Sequence, residues 1–96
     1  MSLPPADATL LLLDGGKLAM YAGDHNPPHF HLLGPDFQEV YAIRGLGLLR
    51  RRGRAPAALR RRALAWAAEH ETMLLAKWAE LNEQDDGTRR SKRTED

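Results

Sequence analysis

Two consecutive prolines, Pro27 and Pro28, restrict how this chain can fold more than any other feature. Neither has an N–H to donate, and each drives the residue before it toward extended geometry. The stretch Gly23-Asp24-His25-Asn26-Pro27-Pro28 can therefore be neither a helix nor a central strand. It must be a stiff turn between two elements. Upstream, residues 9–13 (Thr-Leu-Leu-Leu-Leu) end at Asp14-Gly15-Gly16 and are followed at once by residues 17–21, which predicts a β-hairpin. Downstream, residues 29–33 (His-Phe-His-Leu-Leu) read as a third strand stopped by Gly34-Pro35-Asp36. A fourth is expected at Gln38 to Ile43, where Val40 and Ala42 alternate with Glu39 and Tyr41. Gly45, Gly47 and Gly53 bracket a short fifth strand around Leu48-Leu49.

From Pro56 the pattern becomes helical, and proline suits a first helical turn where its missing donor is not needed. Leu59, Ala63, Trp66, Ala67, His70, Met73, Leu74, Trp78 and Leu81 recur at steps of mostly three and four, tracing one face about seven turns long. Leu64, Ala68 and Leu75 form a smaller apolar row roughly opposite. That row predicts either a homo-oligomeric or partner interface, or a helix broken near His70. The expected fold is α+β: a small, mostly antiparallel sheet of four or five strands packed by one long or two short C-terminal helices. Ninety-six residues suit one domain, placed at 1–83, with 84–96 a polar tail unstructured in isolation.

Composition excludes several function classes. There is no cysteine, which removes disulfides, thiolate metal sites and Cys nucleophiles and fits a reducing cytoplasm. No apolar run approaches the roughly 18–20 residues of a membrane span, and the start Met-Ser-Leu-Pro-Pro-Ala-Asp carries no export signal. A cytoplasmic protein is expected. The net charge of +1 conceals an asymmetry: eight arginines (Arg44, Arg50, Arg51, Arg52, Arg54, Arg60, Arg61 and Arg62) occupy nineteen residues without one acid. Arg60-Arg61-Arg62 cannot share a helix face at 100° per residue, and a run such as Arg50-Arg51-Arg52 is commonly a solvated loop. The density still exceeds what solubility requires. Contact with the phosphates of RNA or DNA, or with an acidic protein, is the natural use of such a surface, with Arg50, Arg51, Arg52 and Arg54 as its candidate residues. The tail cations Arg89, Arg90, Lys92 and Arg93 could add to it. Trp66 and Trp78 belong to the core rather than to a base-stacking platform.

The densest chemistry is in the histidines. In a strand His29 and His31 share a face, while Phe30 and Leu32 point into a core, and the Asn-Pro-Pro turn holds His25 nearby. Three readings compete. The first is architectural, with imidazoles bonded to backbone and to Asp24 or Glu39. The second is general acid/base catalysis by His25, His29 and His31 in metal-independent RNA cleavage, one imidazole taking a proton and another giving one. The third is a divalent metal such as zinc on the same three histidines, leaving an open position for water. His70, within the helical stripe, could approach them or lie beneath the other sheet face.

Met20-Tyr21 followed by Asp24-His25-Asn26-Pro27-Pro28-His29-Phe30-His31 resembles the hallmark of a family of small prokaryotic proteins, domain-of-unknown-function family 4160. Pro56, Ala63-Leu64-Ala65-Trp66-Ala67, His70-Glu71, Leu74 or Leu75, and Trp78 resemble that family as well. The resemblance covers roughly residues 9–82. It departs from the family pattern in the Arg-rich 50–54 loop, where members typically have a shorter, less basic connection. Members are often encoded beside another small protein, in pairs suspected of being toxin–antitoxin-like. The resemblance thus implies a protein that acts on nucleic acid and binds a small cognate protein partner. The competing expectations are a metal-dependent hydrolase or metal-binding protein, and a non-enzymatic interaction module.

Overall fold

Short strands, tight turns and one proline-rich connection produce a meander. The computed structural model describes residues 8–83; the expected polar tail at 84–96 and its four cations lie outside them. Five strands, β1 (Ala8–Leu13), β2 (Gly16–Met20), β3 (His29–Leu33), β4 (Gln38–Ala42) and β5 (Leu48–Arg52), stand side by side in chain order. Every neighbouring pair is antiparallel. The β1–β2 hairpin closes through Asp14 and Gly15, with Leu13 opposite Gly16. Gly15 adopts φ +97°, a conformation open to glycine and strained for other residues. Fold class and strand placement agree with the sequence reading. The fifth strand is longer than expected: Arg50-Arg51-Arg52 continue it rather than forming a loop.

Helix α1 (Ala57–Glu69) begins after Pro56, and α2 (Glu71–Trp78) leads into a π-helical turn (Ala79–Glu83). The break falls at His70, whose φ −122° and ψ 27° leave the helical region. Its Nδ1–H donates to the Trp66 carbonyl at 2.8 Å, and its ring stacks on Trp66 with centroids 4.2 Å apart. The helix is thus broken near His70, as one of the two expectations for the second apolar row has it, and Ala68 of that row is exposed. Leu64 and Leu75 pack against the same core as the main stripe. Met73, assigned to the stripe from its spacing, is 40% exposed, and the buried positions on either side of the break are Ala67 and Leu74.

The helices cover one sheet face. Leu18, Met20, Phe30, Leu32, Tyr41 and Ile43 meet Leu59, Ala63, Ala67, Leu74 and Trp78 there. Burying each large apolar side chain contributes about 1.5–3 kcal/mol, so this layer supplies most of the stability. The alternation in β4 runs opposite to what hydrophobicity suggests. Glu39 and Tyr41 lie on the helix side, Glu39 opposite Leu32 and Tyr41 opposite Phe30. Val40 lies on the other face, between His31 of β3 and Arg50 of β5.

The Glu39 side chain is 0% exposed in that apolar layer because every lone pair it brings finds a donor. Oε1 accepts from Tyr41 Oη at 2.6 Å and Arg60 Nε at 3.1 Å. Oε2 accepts from the Ala55 N–H at 2.9 Å and Arg60 Nη2 at 2.8 Å. Arg60 Nη2 also donates to the Ala55 carbonyl at 3.2 Å. Bidentate pairing with the Arg60 guanidinium is the main reason the Glu39 pKa falls to about 2, against the opposing effect of burial. Arg60 is pushed higher by the same contact. Burial, then the adjacent carboxylate, raises the Tyr41 phenol. One of the eight arginines is thus committed to architecture, and the structure corrects the reading that the cluster has no acid to compensate it.

The end of β5 is similarly constrained. Gly53 has φ +73°, and a Cβ there would run into the Asp36 carbonyl oxygen and stand 3.1 Å from Phe37 Cα. Gly53→Ala is expected to destabilise the fold by about 1–3 kcal/mol in denaturant unfolding. Glu39→Gln keeps the side-chain shape but removes the charge that Arg60 and Tyr41 engage, and should cost about 3 kcal/mol at pH 7. The folded pKa of about 2 lies below the ordinary 4.5. Glu39's contribution is therefore complete above that ordinary value and is lost as pH falls toward 2. Unfolding curves of wild type and variant should converge over that window.

Candidate functional site

The Tyr21–Pro28 connection between β2 and β3 is held from the far end of the chain. Asn82, on the π-helical turn, accepts from the Asp24 N–H at 2.8 Å and donates to the carbonyls of Tyr21 and Trp78, both at 3.3 Å. Pro27, whose bond to Asn26 is cis, turns its carbonyl toward His29. The His29 Nδ1–H donates to it at 2.8 Å. In neutral His29 this places the lone pair on Nε2, which lies 3.1 Å from Asp24 Oδ2. Trp78 closes the other side of the ring, with centroids 4.9 Å apart.

His31 projects from the same face of β3, its ring 5.3 Å from that of His29 and edge-on to Tyr21 at 4.7 Å. Its Nδ1 accepts from Gln38 Nε2 at 3.3 Å. Its Nε2 is 3.5 Å from Asp24 Oδ2, beyond an ordinary hydrogen bond, and this buried atom has no hydrogen-bond partner among the described residues. Burial holds the His31 pKa below its usual value. The Asp24 carboxylate pulls the other way, and His29 and Arg50 act with burial. Both imidazoles are 4% exposed, and one donor atom from each of Asp24, His29 and His31 lies within 4.8 Å of the others. The set can hold a proton or a cation at one point.

A cleft of about 110 Å³, lined by Asp24, His25, Asn26, Pro27, His29, Leu49 and Arg50, opens over Asp24 and His29. Arg50 also borders a trough with Gln38, Val40, Arg51 and Arg52. Cross-strand pairing explains this position: Ala19, His31, Val40 and Arg50 form one row across four strands.

Of the sequence-derived site residues, His29 and His31 converge, whereas His25 is exposed at the cleft rim and takes no part in the cluster. The rigid turn presents its neighbour Asp24 instead. Arg50, Arg51, Arg52 and Arg54 are exposed, as are Arg44, Arg61 and Arg62. His70 lies in the α1–α2 corner, in a shallow groove with Glu69, Glu71 and Met73. Trp78 is core, in accord with its spacing, and Trp66 packs against the core. Sequence reasoning missed the supporting roles of Gln38 and Asn82. Asn82 is 58 residues from Asp24, and no local pattern signals that contact. None of the described helices is long and apolar enough to cross a membrane.

Neither the curated proteins nor the solved structures contain a match to this chain. The profile of the family described as domain of unknown function (DUF4160) matches residues 15–79, about two thirds of the sequence. That span runs from the β1–β2 turn to the end of α2 and includes Asp24, His29, His31, Glu39 and Arg60. The chain belongs to the domain-of-unknown-function family 4160.

Proposed function

We propose that this chain is a cytoplasmic, nucleic-acid-interacting, ribonuclease-like component of a toxin–antitoxin-type pair, with a phosphodiester placed at the Asp24–His29 cleft. The position of Arg50 supports this reading best. One cationic side chain borders both the histidine cleft and the trough shared with Arg51 and Arg52. Arg50 and Arg52 are two residues apart on one strand, hence on one face with Cα atoms about 6.5–7 Å apart. That spacing suits successive phosphates of an extended strand, and neutralising them releases counterions. A small protein partner adding to the edge strand β5, where Leu48 and Leu49 are exposed, would cover the same arginines, as an antitoxin must.

A metal-binding protein or metal-dependent hydrolase is the second reading. It is favoured by the approach of one ligand atom from each of Asp24, His29 and His31 to within 4.8 Å of the others.

Purified protein incubated with end-labelled single-stranded RNA, with and without EDTA, tests the proposal. Binding and cleavage are expected, with cleavage abolished in His29→Ala. Arg50→Ala and Arg52→Ala should each weaken binding about uniformly across sequences. Each should also reduce the slope of log affinity against log salt by about 0.7–1. Absence of both binding and cleavage at low salt would exclude nucleic acid as the target.

A further inference from the structure

We infer that Asp24 Oδ2, His29 Nε2 and His31 Nε2 form a binding site for a single divalent first-row transition-metal ion. The inference deepens the metal reading of the same site and does not depend on RNA being the substrate. Its first support is the fixed tautomer of His29. With Nδ1–H given to the Pro27 carbonyl, the neutral ring turns a lone pair toward a carboxylate oxygen 3.1 Å away. Two acceptors face each other there unless a positive centre lies between them. A proton on His29 Nε2 would satisfy that pair alone, leaving His31 Nε2 buried and unpartnered. A metal ion uses all three atoms.

The spacing fits. In a tetrahedral site with bonds of about 2.0–2.1 Å, donor atoms stand about 3.3–3.4 Å apart. Here Asp24 Oδ2 is 3.1 Å from His29 Nε2 and 3.5 Å from His31 Nε2. The outer contacts are those of metal-binding histidines, which commonly give their second N–H to a backbone carbonyl or a side-chain acceptor. Pro27 plays that part for His29. Gln38 plays it for His31 once its amide turns by 180°, so that Oε1 accepts from Nδ1–H and Nε2 is freed for the ion. Asn82 anchors the Asp24 backbone. Three protein ligands leave a fourth position, and two of them, Asp24 and His29, line the cleft that Arg50 borders. A water molecule or a phosphate oxygen fits there. Two imidazoles and one carboxylate suit Zn²⁺, Co²⁺ or Fe²⁺ better than Mg²⁺ or Ca²⁺, which prefer all-oxygen shells.

The test uses tag-free, full-length protein stripped with EDTA and dialysed into phosphate-free buffer. It is titrated with Zn²⁺ by calorimetry and with Co²⁺ by visible absorption, without nucleic acid. One ion per chain is expected, with the intense d–d absorption of four-coordinate Co²⁺ and a rise in the unfolding temperature. Asp24→Asn, nearly the same shape, and His31→Ala should abolish the absorption. Gln38→Ala should weaken binding about 10–100-fold. His25→Ala and His70→Ala, which remove the two histidines outside the set, should leave stoichiometry and affinity unchanged. Folding of each variant is checked by near-ultraviolet circular dichroism. If Asp24→Asn folds and binds Co²⁺ as wild type does, or wild type binds neither ion, the assignment is wrong. RNA binding without metal binding would overturn this inference and leave the nucleic-acid proposal standing; metal binding without RNA binding would do the reverse.

Discussion

A carboxylate buried in an apolar layer is tolerated only when its charge is met by hydrogen bonds and a cation, and Glu39 meets that condition through Arg60, Tyr41 and the Ala55 backbone. The rest of the structure follows from that arrangement. With Glu39 turned toward the helices, the two-residue period of β4 sends Val40 to the opposite face, beside His31. The same contact joins the first turn of α1 to the centre of the sheet and so sets where the helix begins to cover it. A one-residue slip of β4 would turn the carboxylate away from the helices, leave Arg60 without it and break the row that brings Arg50 to the histidines. The apolar core supplies most of the stability, while the ionic network selects the register in which that core forms.

On the other face, polar groups are held between the proline turn and the end of the helical segment, where Trp78 packs on His29. The proline turn sets the direction of β3 and offers the carbonyl that orients His29. The π-helical turn, through Asn82, grips the backbone of the same loop. Asp24 is thus held from both sides, although it lies in a connection rather than in a strand. Enclosed imidazoles beside a half-exposed carboxylate and an exposed arginine combine a fixed floor with an accessible rim.

Much of this was legible in the residues. Glycines and prolines marked most of the turns between strands, because they disrupt the hydrogen-bonded ladder or adopt backbone angles other residues avoid. The period of three and four after Pro56 marked the helices, and its second row hinted at the break beside His70. The site was half legible. His29 and His31 share a face by strand period alone; His25 stood as the third candidate in the catalytic and metal readings, and Asp24 or Glu39 as a hydrogen-bond partner in the architectural one. Which of two adjacent residues in a turn points inward depends on backbone dihedrals that the residue types do not reveal.

The sequence by itself determined an antiparallel α+β domain, a rigid proline turn, two histidines on one strand face and a surplus of arginine around β5, because each is a local consequence of backbone chemistry or side-chain period. Only the tertiary structure decided which sheet face the helices cover, that Arg60 serves Glu39 while Arg50 borders the histidine cleft, and that Asp24 completes the cluster in place of His25. Those outcomes depend on contacts between residues distant in the chain, such as Arg60 with Glu39 and Asn82 with Asp24. Burial makes such contacts strong, and no local pattern encodes them.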